Sequence, residues 1–196
     1  MFAQVIRARV KDEAAVRAAT EKWQEELRPG AKGFLGVTRG VTDDGRSITI
    51  VRFESAAAAQ ANSDRPEQGD WYNNELAPHL TDVSFFNCNE VELIAGGGND
   101  NAGFVQVMVY KPSDVGALKQ LMRQFESNMQ RDDYLGGVVA FADDGTVFDA
   151  NYFTSEADAR KGEEQMSSQM SEELAAFQKI AGEIEFLDLK NPELRS

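Results

Sequence analysis

Apolar residues recur along this chain in two rhythms, one of period two and one of three to four. Phe2 to Val10 is rich in β-formers, so it predicts a strand. Asp12 stands in the N-cap position of a helix from Glu13 to about Leu27, where Val16, Ala19, Trp23 and Leu27 share one face. Leu35 to Val41 and Ser47 to Phe53 read as strands turned back on each other by Asp43-Asp44-Gly45. Ser55 caps a helix from Ala56 to about Asn62, which Pro66 interrupts, and a further helical stretch covers about Asp70 to Ala77. Phe85 to Ile94 supplies the last strand of this set.

The set then repeats. Phe2-Ala3-Gln4-Val5-Ile6 answers to Phe104-Val105-Gln106-Val107-Met108, Leu35-Gly36 to Leu135-Gly136, Asp43-Asp44-Gly45 to Asp143-Asp144-Gly145, and Phe53-Glu54-Ser55 to Phe153-Thr154-Ser155. In the second copy Ser113 or Asp114 caps a helix striped by Leu118, Leu121, Phe125 and Met129. Ser155-x-x-Asp158 is a capping box, Met166, Met170, Leu174 and Phe177 form a helical stripe, and Ile184 to Leu189 closes the set. Order is kept through both copies, so the chain divides into a first unit over 1–95, a Gly/Asn-rich joint over 96–103 and a second unit over 104–196.

Each unit reads βαββαβ, the ferredoxin-like arrangement. Helices cover only one face of such a sheet, and the other face must find a partner. The expected fold is therefore α+β: two ferredoxin-like repeats packed sheet to sheet, an internal pseudo-dimer enclosing an α/β barrel. The sequence leaves a further homodimer of whole chains open.

Composition narrows the chemistry. The chain has 196 residues and is 42% hydrophobic, enough for a packed core. Its formal charge of −13 argues against nucleic acid and against anionic membrane surfaces. No apolar run approaches the roughly 18 residues of a membrane span, and the N-terminus lacks the layout of a secretion signal; a cytoplasmic protein is expected. One cysteine, Cys88, and one histidine, His79, exclude an internal disulfide, multi-Cys metal sites and paired-His zinc sites. Neither a P-loop nor a dinucleotide glycine fingerprint is present. No metal and no cofactor are expected.

The βαββαβ order, Gly33-Phe34-Leu35-Gly36, the Asp-Asp-Gly hairpin and Arg52-Phe53-Glu54-Ser55 together give a sequence that resembles the antibiotic biosynthesis monooxygenase-like members of the dimeric α/β barrel superfamily. The stretch from Asn62 to Trp71 is similar to tandem proteins of this type. The resemblance implies a cofactor-independent monooxygenase acting on a small aromatic substrate, a quinol or polyketide-like molecule. It leaves open a non-enzymatic ligand-binding or stress-related barrel protein. A haem-binding or haem-degrading protein fits less well: that resemblance implies an axial His about nine residues after a Trp and an Asn on the first strand. Here Trp71 and His79 are eight apart, Pro78 intervenes, and Gln4 occupies the strand position.

A cofactor-free oxygenase needs an apolar pocket and a few hydrogen bonds rather than a diagnostic catalytic residue, so the sequence names no catalytic group. The first copy holds both tryptophans, the histidine and a polar cluster around the break at Pro66, and the binding pocket is expected there. Gln4, Arg52, Asn62, Arg65 and His79 are its candidate polar liners, with Phe34, Trp71, Tyr72 and Phe86 as walls. Arg52 would hold a phenolate or oxyanion. The plain readings are that Arg52 pairs with a strand neighbour, Asn62 ends a helix and Arg65-Pro66-Glu67 is a solvated loop. The second copy offers Tyr134, Asn151 and Tyr152 with Met108, Met122, Met129, Met166 and Met170, a pattern equally suited to core packing. Cys88 reads as a small core residue.

Overall fold

A computed structural model describes residues 1–128, 131–169 and 171–195. The first half runs β1 (Phe2–Val10), α1 (Glu13–Lys22), β2 (Phe34–Val41), β3 (Arg46–Phe53), α2 (Ala56–Ser63), α3 (Pro66–Trp71), β4 (Leu80–Cys88) and β5 (Glu90–Ile94). The second runs β6 (Phe104–Tyr110), α4 (Val115–Asn128), β7 (Tyr134–Phe141), β8 (Val147–Phe153), α5 (Glu156–Gln169), α6 (Ser171–Ala181), β9 (Glu185–Lys190) and β10 (Glu193–Arg195).

Local chemistry sets the element ends. The Asp12 and Ser55 side chains accept the N–H groups of Ala15 and Ala58, and Asp114, rather than Ser113, caps α4 through the N–H of Ala117. Both Asp-Asp-Gly turns close alike, with Gly45 and Gly145 at φ +81° and +84°. The repeated Leu-Gly dipeptides are bulges: the pairing of β2 with β3 and of β7 with β8 slips at Gly36 and Gly136, both at positive φ. Pro66 does not merely interrupt a helix. It occupies the first turn of α3, where its missing N–H costs nothing.

Two antiparallel sheets result, in the orders β10-β2-β3-β1-β4 and β5-β7-β8-β6-β9. The predicted strand from Phe85 to Ile94 is in fact two, parted at Asn89, with β4 in the first sheet and β5 in the second. β10 returns the exchange by pairing with β2. Each sheet thus carries an edge strand from the other half of the chain. Salt bridges add to the lacing: Arg7 and Arg46 both reach Glu185 at 2.7 Å, and Lys190 reaches Asp43 at 2.9 Å.

The sheets face each other as the repeat predicts. Val5, Ile48 and Ile50 of the first meet Val107, Phe148 and Leu189 of the second in one fully buried cluster, which also takes in Cys88. Leu189 packs so closely on Gly40 that a side chain there would lie 2.8 Å from its Cβ. Helices cover the outer faces: α1, the turn that continues it and α3 lie over the first sheet through Val16, Ala19, Trp23 and Trp71, and α4 and α6 over the second through Leu118, Met122 and Ala181. Each fully buried Val or Leu in these layers contributes about 2 kcal/mol. The layer order is helix, sheet, sheet, helix; the central strands are covered on both faces, while Phe85 on β4 and Phe186 on β9 stay about half exposed.

Candidate functional site

The space between the sheets is filled by side chains. Two cavities lie outside it among the described residues, one in each half, between the outer face of a sheet and its helices. The cavity of the first half has a volume of about 380 Å³, that of the second about 740 Å³.

Gln4, Phe34, Asn62, Trp71 and Tyr72 line the first cavity. Strand alternation places Arg52 elsewhere. Val51 and Phe53 point to the cavity, so Arg52 points between the sheets, 8% exposed, against Gly36 and with its Nε lacking a hydrogen-bond partner. Phe86 also faces inward, onto Phe148, and its neighbour Phe85 lines the cavity instead. Arg65 bonds the carbonyl of Leu27 and the Asn62 side chain and pairs with Glu67, tying the α2–α3 corner to the end of the first helical region. His79 sits in a 3₁₀ turn before β4, where its carbonyl accepts the N–H of Lys11. Arg52, Arg65, His79 and Phe86 are therefore not among the residues that line this cavity.

The second cavity is larger and differently equipped. Met108, Met122, Met166, Phe125 and Phe177 give it apolar walls, and Tyr134 and Asn151 line it too. Tyr152 faces the inter-sheet core, where its hydroxyl bonds Thr38, and Met129 and Met170 lie outside the described residues. On the cavity floor stands Asp149, 7% exposed. Its carboxylate accepts the Asn151 amide at 2.9 Å and the Tyr110 hydroxyl at 3.3 Å, and Asn151 in turn accepts the Tyr134 hydroxyl at 3.2 Å. Burial pushes the Asp149 carboxyl up from 3.8 to about 6, against the pull of the Asn151 and Tyr110 bonds. Burial and the same carboxylate push Tyr110 and Tyr134 up, so both stay neutral donors. Glu126, Glu163 and Asp188 also line the cavity, with Arg131 and Arg160, but of these carboxylates only Asp149 is buried, and it is fixed by donors on two sides.

The first half has no counterpart. In the aligned repeats Ala8 stands for Tyr110, Thr49 for Asp149, Val51 for Asn151 and Phe34 for Tyr134. The clustering of aromatic residues and histidine along the sequence points to the first copy and gives no hint of Asp149. The signal that could have found it is an aspartate inside the otherwise largely apolar strand Val147–Phe153, on the face it shares with Asn151. Among the described residues no three His, Cys, Asp or Glu side chains are grouped as metal ligands, and no helix is long and apolar enough to cross a membrane. Burial and the nearby Asp143 and Asp144 push the Cys88 thiol up to about 12, so it stays unreactive at neutral pH.

Neither a family model nor a curated protein matches the sequence. Solved structures do match the fold. A candidate monooxygenase from Fusobacterium nucleatum superposes with a TM-score of 0.76 at 10% identity, over 100% of this chain and 94% of the other. An anthrone oxidase-like protein gives 0.71 at 12% identity, over 100% and 92%. A ferredoxin-fold protein from Listeria monocytogenes, related to antibiotic biosynthesis monooxygenases, gives 0.53 at 10% identity, over 98% and 95%. At these identities the likeness is one of fold, and the chain has the tandem ferredoxin-like architecture of these monooxygenase-related proteins.

Proposed function

We propose that this chain is a cofactor-independent oxygenase acting on a small, planar aromatic substrate with an acidic O–H or activated C–H bond, and that the second cavity is its site. The observation that carries this is Asp149, a single buried carboxylate held by Tyr110 and Asn151 on the floor of a large apolar cavity. A proton acceptor is what such a reaction asks of the protein. Asp149 takes a proton from the substrate, and the resulting phenolate or carbanion is electron-rich enough to react with O₂ directly. For an activated methylene going to a ketone the balance closes without an added reductant: one oxygen atom stays in the product, and the other leaves as water with the two hydrogens. A carboxyl group poised near 6 is mostly ionised at pH 7 yet still basic enough to accept a proton. Met108, Met122 and Phe177 exclude water and shape the site to a flat apolar ring system. The likeness to an anthrone oxidase-like protein supports the substrate class.

The test is oxygen uptake with 1,8-dihydroxyanthrone as probe, comparing the wild-type protein with Asp149→Asn. One O₂ consumed per ketone formed is expected, at a rate rising through pH 6, with at least a hundredfold loss in the variant. Equal rates in both proteins would refute the role of Asp149. Tight binding of the probe without oxygen uptake would replace the oxygenase by a ligand-binding protein.

A further inference from the structure

At one aligned cross-strand pair the two cavities carry opposite charge. In the first sheet Arg39 of β2 is paired across the ladder with Thr49 of β3, whereas the aligned pair in the second sheet is Val139 with Asp149. Arg39 and Thr49 both line the first cavity. Where the second cavity has a buried base, the first has a partly buried cation.

That cation is incompletely compensated. The Arg39 side chain is 16% exposed. Its Nε donates to the Thr49 hydroxyl at 3.1 Å, and its nearest carboxylate, Glu193 on the docked strand β10, lies at 3.4 Å and also takes the Thr20 hydroxyl. Burial outweighs this pairing and lowers the guanidinium pKa, the mark of a charge that would gain from a closer anion. The same cavity has an aromatic wall. Trp23 touches Phe34 at 5.5 Å and Trp71 at 6.3 Å between ring centres. Both indole N–H groups are spent inside the protein, on Gln68 and on the carbonyl of Ala19, so the rings are fixed before any ligand arrives. Both covering helices also depart from α geometry here: π-helical turns run over Trp23–Leu27 and Tyr72–Leu76, a deviation found mostly at functional sites.

We infer that the first cavity is a second, non-catalytic binding site for a small aromatic anion such as an aromatic carboxylate, its ring against Trp23 and Trp71 and its anionic group on Arg39. The volume of about 380 Å³ suits one or two rings. With Thr49 where the other half has Asp149, the site binds and does not deprotonate. It stands apart from the oxygenase reading, since turnover requires Asp149 and binding here requires Arg39.

The chain's two tryptophans, Trp23 and Trp71, both line this cavity, so their fluorescence reports on it alone. The probes are 4-nitrobenzoate and its uncharged counterpart 4-nitrobenzyl alcohol, followed by calorimetry and by quenching of tryptophan emission. Saturable binding of the carboxylate with parallel quenching is expected, at least tenfold tighter than the alcohol. Arg39→Gln should weaken it at least tenfold, and Asp149→Asn should leave it within twofold. Equal affinity for acid and alcohol overturns the proposal, as does the absence of saturable binding, or binding that Asp149→Asn abolishes. If Arg39→Gln fails to fold, the comparison of the two probes on the wild-type protein decides.

Discussion

Asp149→Asn is the substitution whose consequences follow most directly from the structure. The change keeps the shape of the side chain and removes its charge. The introduced amide can accept one of the two hydrogen bonds now made by Tyr110 and Asn151 and donate back to the Tyr110 oxygen, so the floor of the cavity need not collapse. The carboxyl pKa is about 6 in the folded protein against 3.8 ordinarily. The folded state therefore binds this proton more tightly than the unfolded state does. Its contribution to stability is fully present below about pH 4 and is lost as pH rises through 6. A rise of that size corresponds to about 3 kcal/mol. Above pH 7 the ionised carboxylate is a burden the amide does not carry. The variant should then be more stable than the wild-type protein by about 1 to 3 kcal/mol at pH 8, several degrees in melting temperature for a chain of this size. The two should be nearly equal at pH 4. Urea unfolding at pH 4, 6 and 8 measures the difference. A gap that does not change with pH, or a variant less stable at pH 8, would refute the reasoning, because either result means that Asp149 is not desolvated as described.

Three further outcomes are expected. Tyr110→Phe removes a donor that favours the ionised form of Asp149, so the rising limb of the pH–rate profile should move up by roughly half to one pH unit; a profile that stays put or moves down counts against the network. Gly136→Ala would put a Cβ 2.2 Å from the Gly97 carbonyl at φ +128°, whereas Gly145→Ala meets only the backbone cost at φ +84° with open space around it. Chemical unfolding should show a loss of roughly 3 kcal/mol or more for the first and about 1 kcal/mol for the second. Cys88 is fully buried with its thiol pushed up to about 12, so a thiol reagent at pH 8 should label it only after denaturant is added.

Much of the architecture was legible in the chain itself. The repeated Leu-Gly and Asp-Asp-Gly signatures mark bulges and turns that depend on backbone conformation alone, so they mean the same thing in both copies. The caps at Asp12 and Ser55 are equally local. The βαββαβ order followed from the apolar rhythms, and the sheet-to-sheet packing followed from the bare face such a unit leaves. The sites were legible only in part. Alternation tells which residues share a face, but both faces of the central strands are buried, one under helices and one under the other sheet, and the pattern does not say which is which. Arg52 and Tyr152 therefore face the inter-sheet layer while Thr49 and Asp149, three residues back, face the cavities. The exchange of β5 and β10 between sheets was hidden for a related reason, since an edge strand's rhythm does not name its partner. Pairing between residues so far apart in sequence, as of Glu193 with Arg39, is decided only when the two halves close on each other.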